Sequence, residues 1–545
     1  MKSTMIPIVW LMALSTPLPA DVKPANLFSD NMVLQRDMKV PVWGTASPGE
    51  QVTVDFNGQS LNTTASADGT WKVELAAMKA STDPKILKIT GNNAIAIKNV
   101  LVGDVWFCSG QSNMGYTLDK DALASTEIPN SANPMLRMLL ADWQSVDAPL
   151  DSIRYSDKKK GPIWLEAAPD TTPNCSAVAY WFGKELQKST GIPIGLIRSA
   201  KGGSPIEAWM SKEVLISCDG GKEVWAKYEE ALKVFPEKMA AYEIQLKEWQ
   251  NKFQAATPEE KKTLKKPNLV FGPNDPNHPC GLFYGSVKPY TPFAIKGVIW
   301  YQGESNACSP MINAINYRGL FAALINSWRK EWGQENMPFL FVELAPYRPM
   351  NPNTEDTTWS RVRDAQFKAL SLPNTGMSVI LDSGNEKDIH PQDKKPVGER
   401  LAQWAKAKVY GMDVVPSGPI YEKMEVQGDK IVVTFKHAGK GLEAKDLTLI
   451  GGHQLSKDKL QGFSICGEDK KFVWADAQMT SPNQVTLSSG AVKAPIAARY
   501  AWSCFPLCNL FNKDGFPAAA FRTDNFEPDM KAPVNQAPTQ NMNVY

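Results

Sequence analysis

Five short runs between residues 103 and 412 are apolar at consecutive positions rather than at alternate ones: "DVWFCSG", "IPIGLIRSA", "KGVIWYQG", "FLFVELA" and "MSVILDSG". A strand with one wet face alternates, whereas a strand that is apolar throughout has both faces covered. Helix-like segments such as "AVAYWFGKELQKST" lie between these runs, so the pattern predicts an α/β fold with a parallel sheet sandwiched between helices. It also predicts where chemistry sits, because such sheets carry their reactive groups in the loops that leave the carboxyl ends of the strands.

On either side of this region the texture changes. Residues 21–102 contain short alternating runs, "KVPVWG", "QVTVDFNG" and "WKVELA", separated by turn residues, which predict a small N-terminal β-sandwich. Within it, Asp68-Gly69 in "SADGTWKVEL" reads as a hairpin turn. Residues 417–525 alternate again, in "KIVVTFKHAG" and "QVTLSSG", and predict a C-terminal β domain. The central domain then spans 103–416. A charged helical insertion over about 204–270 presents a solvated face, and the Pro-, Asn- and Gln-rich stretch 526–545 reads as a flexible tail.

A chain of 545 residues is long enough for several cores. Its 59 basic and 57 acidic residues nearly balance, which leaves no electrostatic footprint for nucleic acid or an anionic membrane and suits a neutral or sugar-like substrate. Residues 1–20 carry Lys2, an apolar stretch from Met5 to Leu14 and a small-residue ending at Ala20. That is the form of a secretory signal, far short of the roughly 20 apolar residues a membrane span requires. The expected protein is exported, periplasmic or extracellular. Eight cysteines are too few for a disulfide scaffold, and Cys108, inside an apolar run, reads as a small buried hydrophobe. No Cys/His spacing suggests zinc, and neither a metal nor a cofactor is expected.

Four loops follow the apolar runs with unusual residues. They are Ser109-Gly110-Gln111-Ser112-Asn113-Met114, Lys201-Gly202-Gly203-Ser204, Gln302-Gly303-Glu304-Ser305-Asn306, and Lys387-Asp388-Ile389-His390-Pro391. Together they supply a hydroxyl nucleophile, glycine backbone donors, a side-chain amide, and a carboxylate beside a histidine, which are the parts of an acyl-transfer site. A serine hydroxyl needs a base near neutral pH, and histidine titrates in the range to serve. Of the four histidines, His390 follows a buried run with an acid two positions earlier, whereas His278, His437 and His453 suit surface or turn roles.

With these loops in this order the chain resembles the SGNH hydrolases, and within them the sialate O-acetylesterases. The carrying stretches are "GDVWFCSGQSNM", "AKGGSPIEAWM", "IKGVIWYQGESNA" and "DIHPQDKKPVGERLA", with "NLFSDNMVLQRDMKVPVWG" and "PLCNLFNKDGFPAAAFRTD" near the ends. The resemblance implies a flavodoxin-like α/β/α core with accessory β-sandwich-type domains at both ends. It also implies Ser112 as nucleophile and His390 as base. The oxyanion donors would be the Ser112 amide, Gly203 or Gly202, and Asn306. The same loops offer Gln111, Asn113 and Gln302 to the substrate. Many SGNH enzymes place the triad acid three residues before the histidine, where this chain has Lys387. Asp388 is the nearer candidate acid, and Glu304, from the third loop, is the alternative.

The activity implied is removal of O-acetyl groups from sialic acids through an acyl-enzyme. The same chemistry would also deacetylate other sugars, such as acetylated xylan. A glycosidase built on Asp388 and Glu304 would leave Ser112, the glycine pair and Asn306 unexplained. A non-catalytic carbohydrate-binding role, suggested by 17 tryptophans, would leave the four loops unexplained.

Overall fold

The computed structural model describes residues 21–154, 164–350, 353–354, 356–528 and 530. The expected signal segment 1–20 and nearly all of the tail 526–545 lie outside the described residues. The chain is a mixed α/β protein organised around one large sheet.

Seven strands form the core of that sheet: β1 (Ala94–Gly110), β2 (Asn133–Leu140), β3 (Trp164–Ala167), β4 (Ile194–Ala200), β5 (Gly297–Tyr301), β6 (Phe339–Val342) and β7 (Thr375–Ser378). Their order is β3-β2-β4-β1-β5-β6-β7. All the pairings are parallel except the edge pair β2–β3. The chain's path reverses around β1, with β4 on one side and β5 on the other. Such a reversal opens a crevice at the carboxyl ends.

The consecutive apolar residues are divided between two faces. Trp106, Cys108, Ile299, Tyr301, Leu340 and Val342 face a layer built from α1 (Ala177–Thr190) and α5 (Lys395–Lys408). Their neighbours Val105, Phe107, Val298, Trp300, Phe339 and Phe341 face α3 (Met311–Glu331) and α4 (Thr358–Ala369). Each strand thus fills two cores at once, which removes the alternation a one-faced strand would show. Between β4 and β5 lies the 35-residue α2 (Gly221–Ala255), which is charged and mostly solvated. Among the described residues no helix is long and apolar enough to cross a membrane.

The 17-residue β1 belongs to two environments. Its first part pairs with Ser81–Thr90 and Val33–Gln35, and its last part with β4 and β5. The strand therefore runs without a break through residues 102 and 103. The Asp68-Gly69 turn is not a hairpin. Thr70–Leu75 pairs with Val40–Thr45, while the preceding strand Gln59–Thr64 pairs with Gln51–Phe56, so the turn carries the chain from one sheet to another. Asp68 Oδ1 accepts from Ser66 Oγ and from the Thr70 N–H, at 2.5 and 3.0 Å, and Gly69 takes φ +80°. That local chemistry closes a turn whichever strands flank it.

Beyond α5 the chain forms two four-stranded antiparallel sheets and smaller ladders. They are fastened to the core through buried polar contacts. Ala520 N–H donates to Glu343, Arg522 pairs with Asp364 on α4, and Arg363 donates to the Ser503 and Cys504 carbonyls.

Candidate active site

The end of β1 and the end of β5 approach so closely that a Cβ on Gly110 would lie 2.1 Å from the Tyr301 carbonyl oxygen, and Gly110 takes φ +139°. Only glycine fits there. The chain then turns, Gln111 N–H donating to Tyr301 O at 2.9 Å, and Ser112 opens a one-turn helix with Asn113 and Met114 buried behind it. The nucleophile candidate is thereby set on a rigid corner at the sheet's carboxyl edge.

The four strand-end loops are tied to one another by side chains. Gln111 Oε1 accepts from the N–H groups of Gly303 and Ser305, at 3.2 and 3.3 Å. Gln302 Nε2 donates to Ser204 O at 3.1 Å and to Asn306 Oδ1 at 2.8 Å, and its Oε1 accepts from Tyr317. Asn113 Nδ2 donates to Ile389 O at 3.0 Å and to Glu304 Oε1 at 2.5 Å. Gln111, Asn113 and Gln302, offered to the substrate by the sequence reading, are instead buried. Their amides hold the loops together.

His390 Nε2 lies 2.8 Å from Ser112 Oγ, the distance of a working nucleophile–base hydrogen bond. The imidazole stacks on Tyr116, with ring centroids 6.4 Å apart. Its backbone N–H donates to Asp388 Oδ1 at 2.9 Å, and the same oxygen lies 3.6 Å from Nδ1, beyond hydrogen-bond length. Burial, reinforced by the Lys394 charge, lowers the His390 pKa below its ordinary 6.5, and Asp388 opposes that shift. The imidazole is therefore neutral, and able to take a proton, near neutral pH.

The two candidate acids stand in different settings. The Asp388 side chain is 48% exposed and faces the imidazole. Glu304 is 3% exposed, gives one oxygen to Asn113 and has Oε2 unpartnered; burial raises its pKa. Beneath it lies Lys394, fully buried, whose ammonium donates to Asn113 Oδ1 at 2.5 Å and sits 4.8 Å from the centre of the Tyr116 ring. Burial pulls the Lys394 pKa down to about 7, against the attraction of Glu304 and Asp121. Asn113 thus carries a buried cation on its oxygen and a buried carboxylate on its nitrogen. Nothing in the local sequence marks this chain of contacts, because Lys394 and Lys395 are adjacent lysines at a helix start.

Asn306 is buried and oriented on both sides of its amide. Its Oδ1 accepts from Ile206 N–H at 3.0 Å and from Gln302, and Nδ2 gives one proton to Glu207 at 3.0 Å, leaving the second available. A Cβ on Gly202 would lie 3.5 Å from Ser112 Cβ, and Gly203 adopts φ +69°. Among the described residues the N–H groups of Ser112 and Gly203 have no protein acceptor. Hydroxyl, imidazole, free backbone N–H groups and a fixed amide are the set that acyl transfer uses.

The remaining histidines sit in turns or just past a strand, and of the three His278 is the one that is fully buried. His278 is buried and stacked on Tyr228. His453 Nε2 lies 2.9 Å from Glu386, two residues before Asp388, so the C-terminal β region touches the base of the His390 loop. His437 adopts φ +57° just past its strand. Among the described residues no group of three or more His, Cys, Asp or Glu side chains is placed to hold a metal.

Comparison with known proteins agrees in one direction. Residues 102–261 and 286–406 match the family model described as carbohydrate esterase, sialic acid-specific acetylesterase. The sialate O-acetylesterase of Homo sapiens is 29% identical over 552 residues, covering 92% of each chain. That of Rattus norvegicus is 29% identical over 522 residues, covering 88% of this chain and 90% of its own. The crystal structure of a carbohydrate acetylesterase from Xanthomonas citri superposes with a TM-score of 0.76 at 34% identity, covering 93% of this chain and all of the other.

Proposed function

The chain belongs to the sialic acid-specific acetylesterase family of carbohydrate esterases, and from that membership we propose that it removes O-acetyl groups from sialic acids with Ser112 as the nucleophile. The observation that carries the residue assignment is the 2.8 Å contact between Ser112 Oγ and His390 Nε2 at the sheet's carboxyl edge. We read the core as an SGNH-type α/β/α layer. Residues 21–102 and 417–525 flank it as accessory β units, and the leader 1–20 directs export.

In this reading Ser112 Oγ attacks the acetyl carbonyl carbon while its proton passes to His390 Nε2. The oxyanion that forms accepts from the N–H groups of Ser112 and Gly203 and from the free Nδ2 proton of Asn306. Collapse breaks the C–O bond to the sugar, whose oxygen takes the proton back from the imidazolium. Water, deprotonated by His390, then attacks the acetyl-serine and releases acetate and free Ser112. Asp388 stands on the Nδ1 side and stabilises the imidazolium as it forms.

A second reading is favoured by the relative at 34% identity, a carbohydrate acetylesterase: the same site would deacetylate other sugars, including acetylated xylan. Acetate release from O-acetylated sialic acid and from acetylated xylan, measured in parallel with Ser112→Ala as the blank, tests both. Turnover of the sialate alone supports the first reading, and turnover of xylan alone replaces it with the second.

A further inference from the structure

Seven arginines are buried among the described residues. Arg361, Arg499 and Arg522 lie against carboxylates. Arg137, Arg329 and Arg363 donate to backbone carbonyls. Arg348 is different. It is 8% exposed, yet the contact its guanidinium makes with an acceptor is to the Cys308 sulfur at 3.6 Å. Burial pushes the Cys308 thiol up, so it is a neutral and weak acceptor. A guanidinium is always charged and carries five donors. Removing one from bulk water without an anion is costly, and at Arg348 no carboxylate or carbonyl oxygen among the described residues stands against the guanidinium, as one does at each of the other six.

Its position is equally specific. Arg348 lies in the loop leaving the carboxyl end of β6, on the edge where the other site loops emerge. Its N–H donates to Glu386 O at 3.1 Å, and the preceding Tyr347 bridges to Asn385, so this loop runs beside the His390 loop. The guanidinium reaches across to Cys308, which directly follows the Glu304–Ala307 helix. The Tyr347 phenol is within electrostatic reach of Asp388. Arg348 holds φ +82°, a conformation uncommon for a side chain of this size and one that concentrates where a loop is held for a purpose.

We propose that Arg348 is the carboxylate-recognition residue of the substrate site, its guanidinium pairing with the C1 carboxylate of an O-acetylated sialic acid while the acetyl group lies at Ser112. This rests on the sialate reading above and adds the group that would separate an anionic sugar from a neutral one. A planar guanidinium can present two parallel N–H groups to a carboxylate, the geometry that makes such pairs selective.

The test is acetate release by wild type, Arg348→Met and Arg348→Lys from O-acetylated sialic acid and from its C1 carboxamide, with p-nitrophenyl acetate as a substrate lacking the sugar. Wild type should favour the free acid over the carboxamide by about 10- to 100-fold in kcat/KM, carried mainly by KM. Arg348→Met should lose that preference, Arg348→Lys should restore part of it, and all three should turn over p-nitrophenyl acetate within about twofold. A preference that survives in Arg348→Met overturns the proposal, as does an equal fall on every substrate, which is what a purely structural arginine gives. A wild type that cleaves both sialates equally overturns the role of Arg348 alone. A wild type that cleaves neither, yet deacetylates xylan, overturns the sialate reading and the proposal with it.

Discussion

The loop after β5 and the loop after β7 each bring a carboxylate near the nucleophile, and they hold it in opposite ways. In the first, Gln302, Glu304 and Asn306 are all buried and bonded to residues of the neighbouring loops. In the second, the backbone at His390 is fixed by Asp388, but both side chains reach solvent, at 25% and 48% exposure. The first loop behaves as part of the core and sets positions. The second keeps its titrating groups in contact with water, where an imidazole can exchange protons. Burial raises the pKa of the Glu304 carboxyl. The Asp388 carboxylate instead stands at the solvent edge beside the imidazole, whose charged form it favours.

The largest effect should come from removing the base. His390→Ala is expected to lower kcat/KM for acetate release by at least about 1,000-fold, with the residual rate supplied by binding and the oxyanion donors. Its thermal midpoint should fall modestly, because the imidazole gives up its stacking on Tyr116 and its hydrogen bond to Ser112. Retention of most turnover would mean that the 2.8 Å contact with Ser112 is not used in the reaction.

Asn306→Ala is next and probes the buried loop. Roughly 100- to 1,000-fold should be lost in kcat with KM nearly constant, as for a donor engaged in the transition state. It should also destabilise the protein by about 1–3 kcal/mol, because Ile206 N–H and Gln302 lose their acceptor. A loss in KM alone would make Asn306 a ground-state contact.

These two loops also show what a sequence discloses. The large mixed sheet is legible because its strands are apolar at consecutive positions, and Ser112 and His390 are legible because each follows such a run. Which face each residue takes is not legible, since an all-apolar run carries no phase. The Asp68-Gly69 turn misleads because its hydrogen bonds are local, whereas strand pairing is decided by partners elsewhere. Gln111, Asn113 and Gln302 look like substrate ligands because loop amides usually face solvent. Here each closes a gap between loops far apart in the chain. Lys394 is the clearest case: it is fully buried against Asn113, while the adjacent Lys395 pairs with Glu399 at the surface. Only the docking of residues 281 positions away separates them.

The two carboxylates can be set against each other directly. Asp388→Asn should reduce kcat/KM by roughly 10- to 100-fold, less than loss of a fully buried triad acid because this one is half exposed and 3.6 Å away. Glu304→Gln keeps an acceptor for Asn113 and should cost less than Asp388→Asn in activity, appearing mainly as a lower thermal midpoint as Lys394 loses its neighbouring charge. Near-normal turnover in Asp388→Asn beside a crippled Glu304→Gln would reverse the roles.

The smallest effect, a displacement of the pH profile, discriminates most finely. His390 accepts the Ser112 proton only when neutral, so activity is lost as pH falls through its pKa. Burial and Lys394 set that pKa below the ordinary 6.5, and the acid limb of kcat/KM should accordingly lie below pH 6.5. The Asp388 charge opposes the shift by favouring the imidazolium. Its removal in Asp388→Asn therefore lowers the pKa further, and the limb should move to still lower pH even as the plateau drops. The fall in rate and the move of the limb have different causes, the first from a less stabilised imidazolium in the transition state and the second from a less basic resting imidazole. Glu304→Gln should leave the limb where it is, since Glu304 is engaged with Asn113 and not with the ring. Profiles of all three proteins on a neutral acetate ester, which contributes no charge of its own, separate the cases. A limb that moves in Glu304→Gln and stays in Asp388→Asn would place the buried carboxylate, not the exposed one, at the imidazole in the working enzyme.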